Sequence, residues 1–317
     1  VSEAGSGPTW AVNSGENRLT PWRNDPVTDM PGEALYLRDE ETGLVWSPTP
    51  MPAGADTAHE ICHGAGYSTF ESQSHGLNHK LRLFAAPDAP VKIAHLRLQN
   101  LWRRARRITI TYYAEWVLGT TRDSHQSHIM PEFDSDKNAL LVTNHYNSEF
   151  GERVAFLAAN KKPHGVTTDR TEFLGRMGSM RTPAALGRIG LASAVNAGLD
   201  PCAVIQLHVD LVAKFQRVQQ AGRLAGVGFA DRVYVHGKKS VVDVCLCSGV
   251  VFGGLISDGG SGRYLRDVDR HTLNRKNVPT ADIGDRTSSS CEWSVKIYEV
   301  LRHYETSESG CPDVALF

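Results

Sequence analysis

The sequence predicts an all-β protein, a large antiparallel sandwich. Two observations carry that prediction. Apolar and polar residues alternate over many short segments punctuated by Gly, Pro, Asn and Asp, and Pro or Gly interrupts most windows long enough to hold a helix through the first two hundred residues. The length of 317 residues adds a third, because one β-sandwich can take up most of such a chain. Many short strands of this kind imply two packed sheets.

The elements follow in order. Residues 32–49 read as two strands around a turn, where Asp39 to Gly43 supplies side-chain turn chemistry and a glycine for positive φ. His63-Gly64-Ala65-Gly66-Tyr67 is a glycine-bracketed turn that lets the backbone approach a neighbour closely. Short strands are expected over 80–84 and 91–98, separated by a Pro-rich turn, and again over 139–143 and 153–158. The clearest strand is 107–116. Ile108, Ile110, Tyr112, Ala114 and Trp116 fall on one face and Arg107, Thr109, Thr111, Tyr113 and Glu115 on the other, as a half-buried strand requires. A second clean strand is 204–212, with Ile205, Leu207, Val209 and Leu211 inward. After residue 213 the texture changes: a short helix is expected at 214–224, strands at 241–256 and 295–301, and the rest is glycine-rich, serine-rich or basic.

Composition narrows the function. With 41% hydrophobic and 22% charged residues the chain can bury a core, and 34 basic against 35 acidic residues create no demand for a nucleic-acid partner. Its six cysteines are scattered and lack zinc spacing, so they read as reduced core or loop thiols. The longest apolar run, 244–256, is shorter than a bilayer needs. No transmembrane segment is expected. The chain lacks an initiator Met and a basic start followed by an apolar stretch, so it reads as a signal-free piece of a longer chain. No nucleophile elbow, P-loop or dinucleotide fingerprint is present.

Two segments hold the chemistry-bearing residues. Residues 10–26 mix Trp10, Arg18, Trp22 and Arg23 with Asn and Asp in loop-like sequence. Sugar rings offer flat C–H faces to Trp, and their hydroxyls pair with planar polar groups. The plainer reading, which the sequence favours, is that these Trp residues plug the sandwich core and the polar residues cap its turns. The loop after the clearest strand, 119–128, carries Arg122, Gln126 and His128. A guanidinium fork and histidines suit a phosphate or hydroxyls; the alternative is a solvated hairpin loop. His125 and His128 have no convincing third metal ligand, so no metal site is expected. In 168–176, two Arg and two acids surround Phe173 and Leu174, which reads as internal ion pairing that pins a loop to the sandwich. A hydrolase acting alone through Asp25 with Asp29, or Glu115 with Asp123, ranks last.

Five stretches taken in order resemble the glycoside phosphorylase family that includes the phosphorylase module of cyclic β-1,2-glucan synthases and the cellobiose phosphorylases. They are the run from Ser2 to Pro50, HGAGYSTFE from His63, ITYYAEWVLG from Ile110, DRTEFLGR from Asp169 and AGLDPCA from Ala197. The chain departs from the family pattern at Cys62, where arginine is expected, and at Met177, where asparagine is usual.

The resemblance implies that residues 1–213 are an N-terminal β-supersandwich of the galactose mutarotase-like kind. In the intact family, linker helices and an (α/α)6 barrel with the general acid follow. Inorganic phosphate, the co-substrate, attacks the anomeric carbon with inversion and releases a sugar 1-phosphate. No other cofactor is implied. The expected ligand is a β-glucan oligosaccharide, contacted by Arg122, Gln126, His128, Trp22 and Arg18. The missing barrel module is the expected partner, with a homodimer in the intact enzyme. This chain, lacking the barrel, is expected to be inactive alone. By analogy it lies on the cytoplasmic side of an inner-membrane enzyme. Residues 214–317 resemble nothing in the family, as a frameshift or fusion would produce. A stand-alone carbohydrate-binding or structural sandwich is the alternative.

Overall fold

The structure, a computed structural model, describes residues 1–25, 27–87, 89–196, 198–212 and 241–252. In chain order the strands are β1 (Glu33–Asp39), β2 (Val45–Trp46), β3 (His59–Gly64), β4 (Tyr67–Ser74), β5 (Leu77–Ala85), β6 (Val91–Asn100) and β7 (Arg106–Glu115). They continue as β8 (Met130–Asp134), β9 (Ala139–Thr143), β10 (Arg153–Ala159), β11 (Gly165–Asp169), β12 (Pro201–Leu211) and β13 (Val241–Phe252). The helices are one turn each, α1 (Arg122–His125) and α2 (Arg170–Leu174). A smaller sheet runs β11-β12-β7-β1-β2 and a larger one β3-β4-β5-β6-β13-β10-β9-β8. This is the antiparallel sandwich that the alternation predicts.

The two cleanest sequence strands lie side by side. β7 pairs with β12 over ten residues, from Cys202 opposite Glu115 to Leu211 opposite Arg106. Their inward side chains, Ile108, Ile110, Trp116, Ile205 and Leu207, join Leu81, Leu96 and Leu157 of the larger sheet in one core. Each such side chain contributes roughly 2 kcal/mol by leaving water. The hairpin expected at 32–49 forms, with Leu37 opposite Trp46. The glycine turn at 63–67 joins β3 to β4, and its two glycines serve differently: at Gly64 the backbone lies so close to the Tyr67 ring that a Cβ would fall 2.4 Å from it, whereas at Gly66 a side chain would meet open space and it is the φ of 82° that favours glycine.

One expectation fails on β7. Its outer face is not solvated, for Thr111, Tyr113 and Glu115 are as buried as the inner residues. The segment between β11 and β12 folds over it. Phe173 of α2 stacks on Tyr113 with ring centroids 5.1 Å apart, and Met180, Ala185 and Leu186 complete a second core with Tyr36 and Val204. The segment read as a pinned loop is thus partly helical. Asp169 caps α2 by accepting from Thr171 N at 2.8 Å.

β13 pairs with β6 from Val241 opposite Gln99 to Gly249 opposite Val91, and β10 flanks its other side. One of two compact units runs from Val1 to Val251. The helix expected at 214–224, the strand at 295–301 and the end of the one at 241–256 lie outside the described residues. The described cysteines are in no disulfide: Cys202, Cys245 and Cys247 are buried and Cys62 is exposed. Among the described residues no helix is long and apolar enough to cross a membrane.

A buried ion pair links the sheets. Glu33 of β1 accepts from Lys92 Nζ of β6 at 2.8 Å and from Tyr112 Oη at 2.6 Å. Thr20 Oγ1 donates at 3.1 Å, and Thr9 Oγ1 donates as well, which fastens the N-terminal segment to the same carboxylate. Burial pushes the Glu33 carboxyl up, but Lys92 and these hydrogen bonds more than offset it and hold it below its ordinary value. Lys92→Ala leaves that carboxylate uncompensated and should cost about 3–5 kcal/mol in urea unfolding. A loss under about 1 kcal/mol would show that the pair does not hold the sheets.

His79 of β5 is buried against Ser72 Oγ (3.1 Å) and Ser74 Oγ (3.0 Å). Burial, helped by nearby His59 and His75, lowers its pKa from 6.5 to about 4. The unfolded chain therefore binds the extra proton first as pH falls. The contribution of His79 is fully present above pH 6.5 and is lost between 6.5 and about 4, on the order of 3 kcal/mol in all. His79→Gln should flatten the stability profile in that window; an unchanged slope refutes the assignment.

Candidate functional site

The end of β7 gathers the residues singled out in the sequence. The N-terminal segment runs beside the chain leaving β7: Val117 N donates to Leu19 O at 2.9 Å, and Arg18 and Gly119 exchange backbone hydrogen bonds at 3.2 and 3.1 Å. Arg18 Nη1 donates to Thr120 O at 2.9 Å and its Nε to Ser14 O at 3.0 Å, while its guanidinium lies 5.2 Å from the Trp22 ring centre. Arg18, Trp22 and the 119–128 loop, about a hundred positions apart in sequence, thereby form one surface.

The loop is not a plain hairpin connection, because it contains α1 and a 3-10 turn at Gln126–His128. His125 anchors it. Asn144 Nδ2 lies 2.9 Å from His125 Nδ1 and donates to Leu118 O at 2.9 Å. Burial, with His128 adding to it, lowers the His125 pKa. The ring sits where a side chain at Gly119 would be, with Cδ2 2.4 Å from that position, so the contact requires glycine. Gln126 is half-exposed and His128 exposed. His128 stacks on Tyr146, ring centroids 4.1 Å apart and planes 11° apart. Among the described residues no group of three or more His, Cys, Asp or Glu could hold a metal ion.

Arg122 turns inward. Its Nε lies 3.0 Å from Glu115 Oε1 and its Nη2 contacts Asp200. Arg170 reaches the same two acids, Nε to Glu115 Oε2 at 3.4 Å and Nη1 to Asp200 Oδ2 at 3.2 Å. Arg23 Nη2 approaches Glu115 Oε2 at 3.1 Å and Tyr113 Oη donates to it at 3.2 Å. The internal ion pairing expected within 168–176 gives way to pairing with other segments: Arg170 takes Glu115 and Asp200, and Glu172 takes Arg188. The arrangement binds three chain segments with three guanidinium groups and two carboxylates, and Glu115 is enclosed by it. Asp25 accepts from Val27 N, Thr28 N and Thr28 Oγ1, and the Thr28 bonds lower its pKa, the opposite of what a general acid needs.

Sequence reasoning passed over Tyr146. Asn144 Oδ1 accepts from Tyr146 N at 3.2 Å, and Asn147 Oδ1 accepts from Glu149 N and Phe150 N at 3.2 and 3.1 Å, which shapes a tight turn after β9. The pattern Asn144-His145-Tyr146-Asn147 was its only local signal.

The family model for the glycosyl hydrolase 94 supersandwich domain matches residues 1–219. The chain belongs to this family. The cyclic beta-(1,2)-glucan synthase NdvB of Rhizobium meliloti (strain 1021) is 33% identical over 219 residues, 68% of this chain and 8% of that protein. The solabiose phosphorylase of Paenibacillus borealis is 29% identical over 176 residues, covering 54% of this chain and 23% of its own. The N,N'-diacetylchitobiose phosphorylase of Vibrio furnissii is 25% identical over 219 residues, 67% of this chain and 27% of its own. The chain thus spans about a quarter or less of these relatives' lengths. Of the supersandwich's two departures from the expected pattern, Cys62 is exposed on edge strand β3 and Met177 is almost fully exposed.

Glu115→Gln removes the charge on which three arginines of the supersandwich converge. We expect a loss of about 3 kcal/mol and faster amide exchange in 119–128 and 168–176 than in β5 or β6. Unchanged exchange in those two segments would mean that the network does not hold them.

Proposed function

We propose that the chain is the sugar-contacting wall of a glycoside phosphorylase or glucan synthase acting on β-linked glucans. The observation that carries this reading is the supersandwich match over residues 1–219. Support comes from the rim at the end of β7, where Arg18, Trp22, Gln126 and His128 offer ring faces and planar polar groups at or near the surface. The name of one relative, a cyclic β-(1,2)-glucan synthase, supports a β-linked glucan, and those of the solabiose and N,N'-diacetylchitobiose phosphorylases support a saccharide substrate more broadly.

In this reading the wall binds and orients a β-glucan oligosaccharide. A separate α/α barrel supplies the carboxylic acid that protonates the leaving oxygen while inorganic phosphate attacks the anomeric carbon, inverting it. A homodimer and a place on the cytoplasmic side of an inner-membrane enzyme belong to the same reading. Arg122 acts indirectly, because its ion pairs with Glu115 and Asp200 set the loop that carries Gln126 and His128.

The test is release of sugar 1-phosphate from β-1,2-glucan and phosphate, by this chain alone and mixed with a separately expressed barrel module of a relative. Activity is expected only in the mixture. Gln126→Ala should lower it about tenfold, equivalent to 1.4 kcal/mol, with the thermal midpoint unchanged. Activity from the chain alone would overturn the division of labour, and silence in both would favour a stand-alone sandwich.

A further inference from the structure

Three aromatic side chains at the rim are more than half exposed: Trp10 and Trp22 at 54% and Tyr146 at 62%. Two of them are held by side-chain neighbours: the Arg18 guanidinium covers Trp22, and Tyr146 is held by its asparagine turn and by the stack on His128; the backbone of Trp10 bridges to Arg18. Contacts run without a break from Trp22 to Arg18 (5.2 Å), Arg18 to Thr120 (2.9 Å), Thr120 to His125 (3.5 Å) and His125 to Tyr146 (5.9 Å).

Large rings that remain this exposed forgo the stabilisation of burial. Held by their neighbours, they lose little conformational freedom when a ligand covers them. Between the two rings lie Arg18, Thr120 and the 119–128 loop, whose polar groups suit hydroxyls.

We propose that the rim is an extended platform with two separate ring-stacking positions, Trp22 beside Arg18 and Tyr146 beside His128. It takes a gluco-oligosaccharide long enough to cover both, and a disaccharide engages only one. The inference rests on the sugar-wall reading above and adds the length class of the ligand and the role of Tyr146. Once one position is filled, the second is reached intramolecularly at high effective concentration, so affinity grows with chain length until both are covered.

The experiment is calorimetric titration of the 317-residue chain with β-1,2-linked gluco-oligosaccharides, from the disaccharide upward. Affinity should rise with length and then level off. Trp22→Ala and Tyr146→Ala should each weaken binding of the long oligomers about tenfold or more and leave the disaccharide nearer to its wild-type affinity at the remaining position. Both rings are exposed, so the thermal midpoints should hold. Equal affinity at all lengths, or sensitivity to only one of the two aromatics, overturns the two-position platform and leaves the sugar-wall reading standing. No binding of any oligomer by normally folded protein overturns both.

Discussion

The carboxylate of Glu115 lies buried at the end of β7, and a charge in such a place is costly unless it is paired. Three guanidinium groups converge on it, from the N-terminal segment through Arg23, the loop after β7 through Arg122 and α2 through Arg170. Each of these segments has little regular structure of its own, so its position against the sheet depends on this compensation. Asp200 adds a second acid to Arg122 and Arg170, fixing the approach to β12 in the same network.

The rest of the sandwich gives that network a firm base. β7 is packed on both faces, against the larger sheet within and against Phe173 and its neighbours without. The Glu33–Lys92 pair crosses between the sheets, and hydroxyls of the N-terminal segment complete the shell of Glu33. The segment that carries Trp10, Arg18 and Trp22 is therefore tied to both sheets. This is what lets aromatic rings stay exposed at the rim without collapsing onto the core.

The division of residues in the 119–128 loop follows from these constraints. Arg122 and His125 point inward and do structural work, one through ion pairs and the other through Asn144. Gln126 and His128 are left toward solvent. A loop built in this way presents its solvent-facing groups in a set geometry, and in the proposed sugar wall preorganisation of that kind would add affinity. The second wall and the catalytic acid belong to the proposed barrel.

Much of the fold was legible in the sequence: the alternation in β7 and β12, the hairpin at 32–49 and the strands at 80–84, 91–98, 139–143 and 153–158 all appear where the pattern put them. Side-chain direction in a strand alternates with period two, a local property that one segment suffices to reveal. The covered outer face of β7 was not legible, because Thr111, Tyr113 and Glu115 look polar enough for solvent until Phe173 and the arginines of other segments are brought over them. Nor was Tyr146, whose importance comes from stacking on His128, eighteen positions earlier in the chain. The sequence by itself determined the sandwich and, through its motifs, the family; only the tertiary structure decided that Arg18 meets Thr120, that Arg122 faces acids and that Tyr146 joins the rim. Those meetings depend on how strands distant in the chain pair and pack, which no local period encodes.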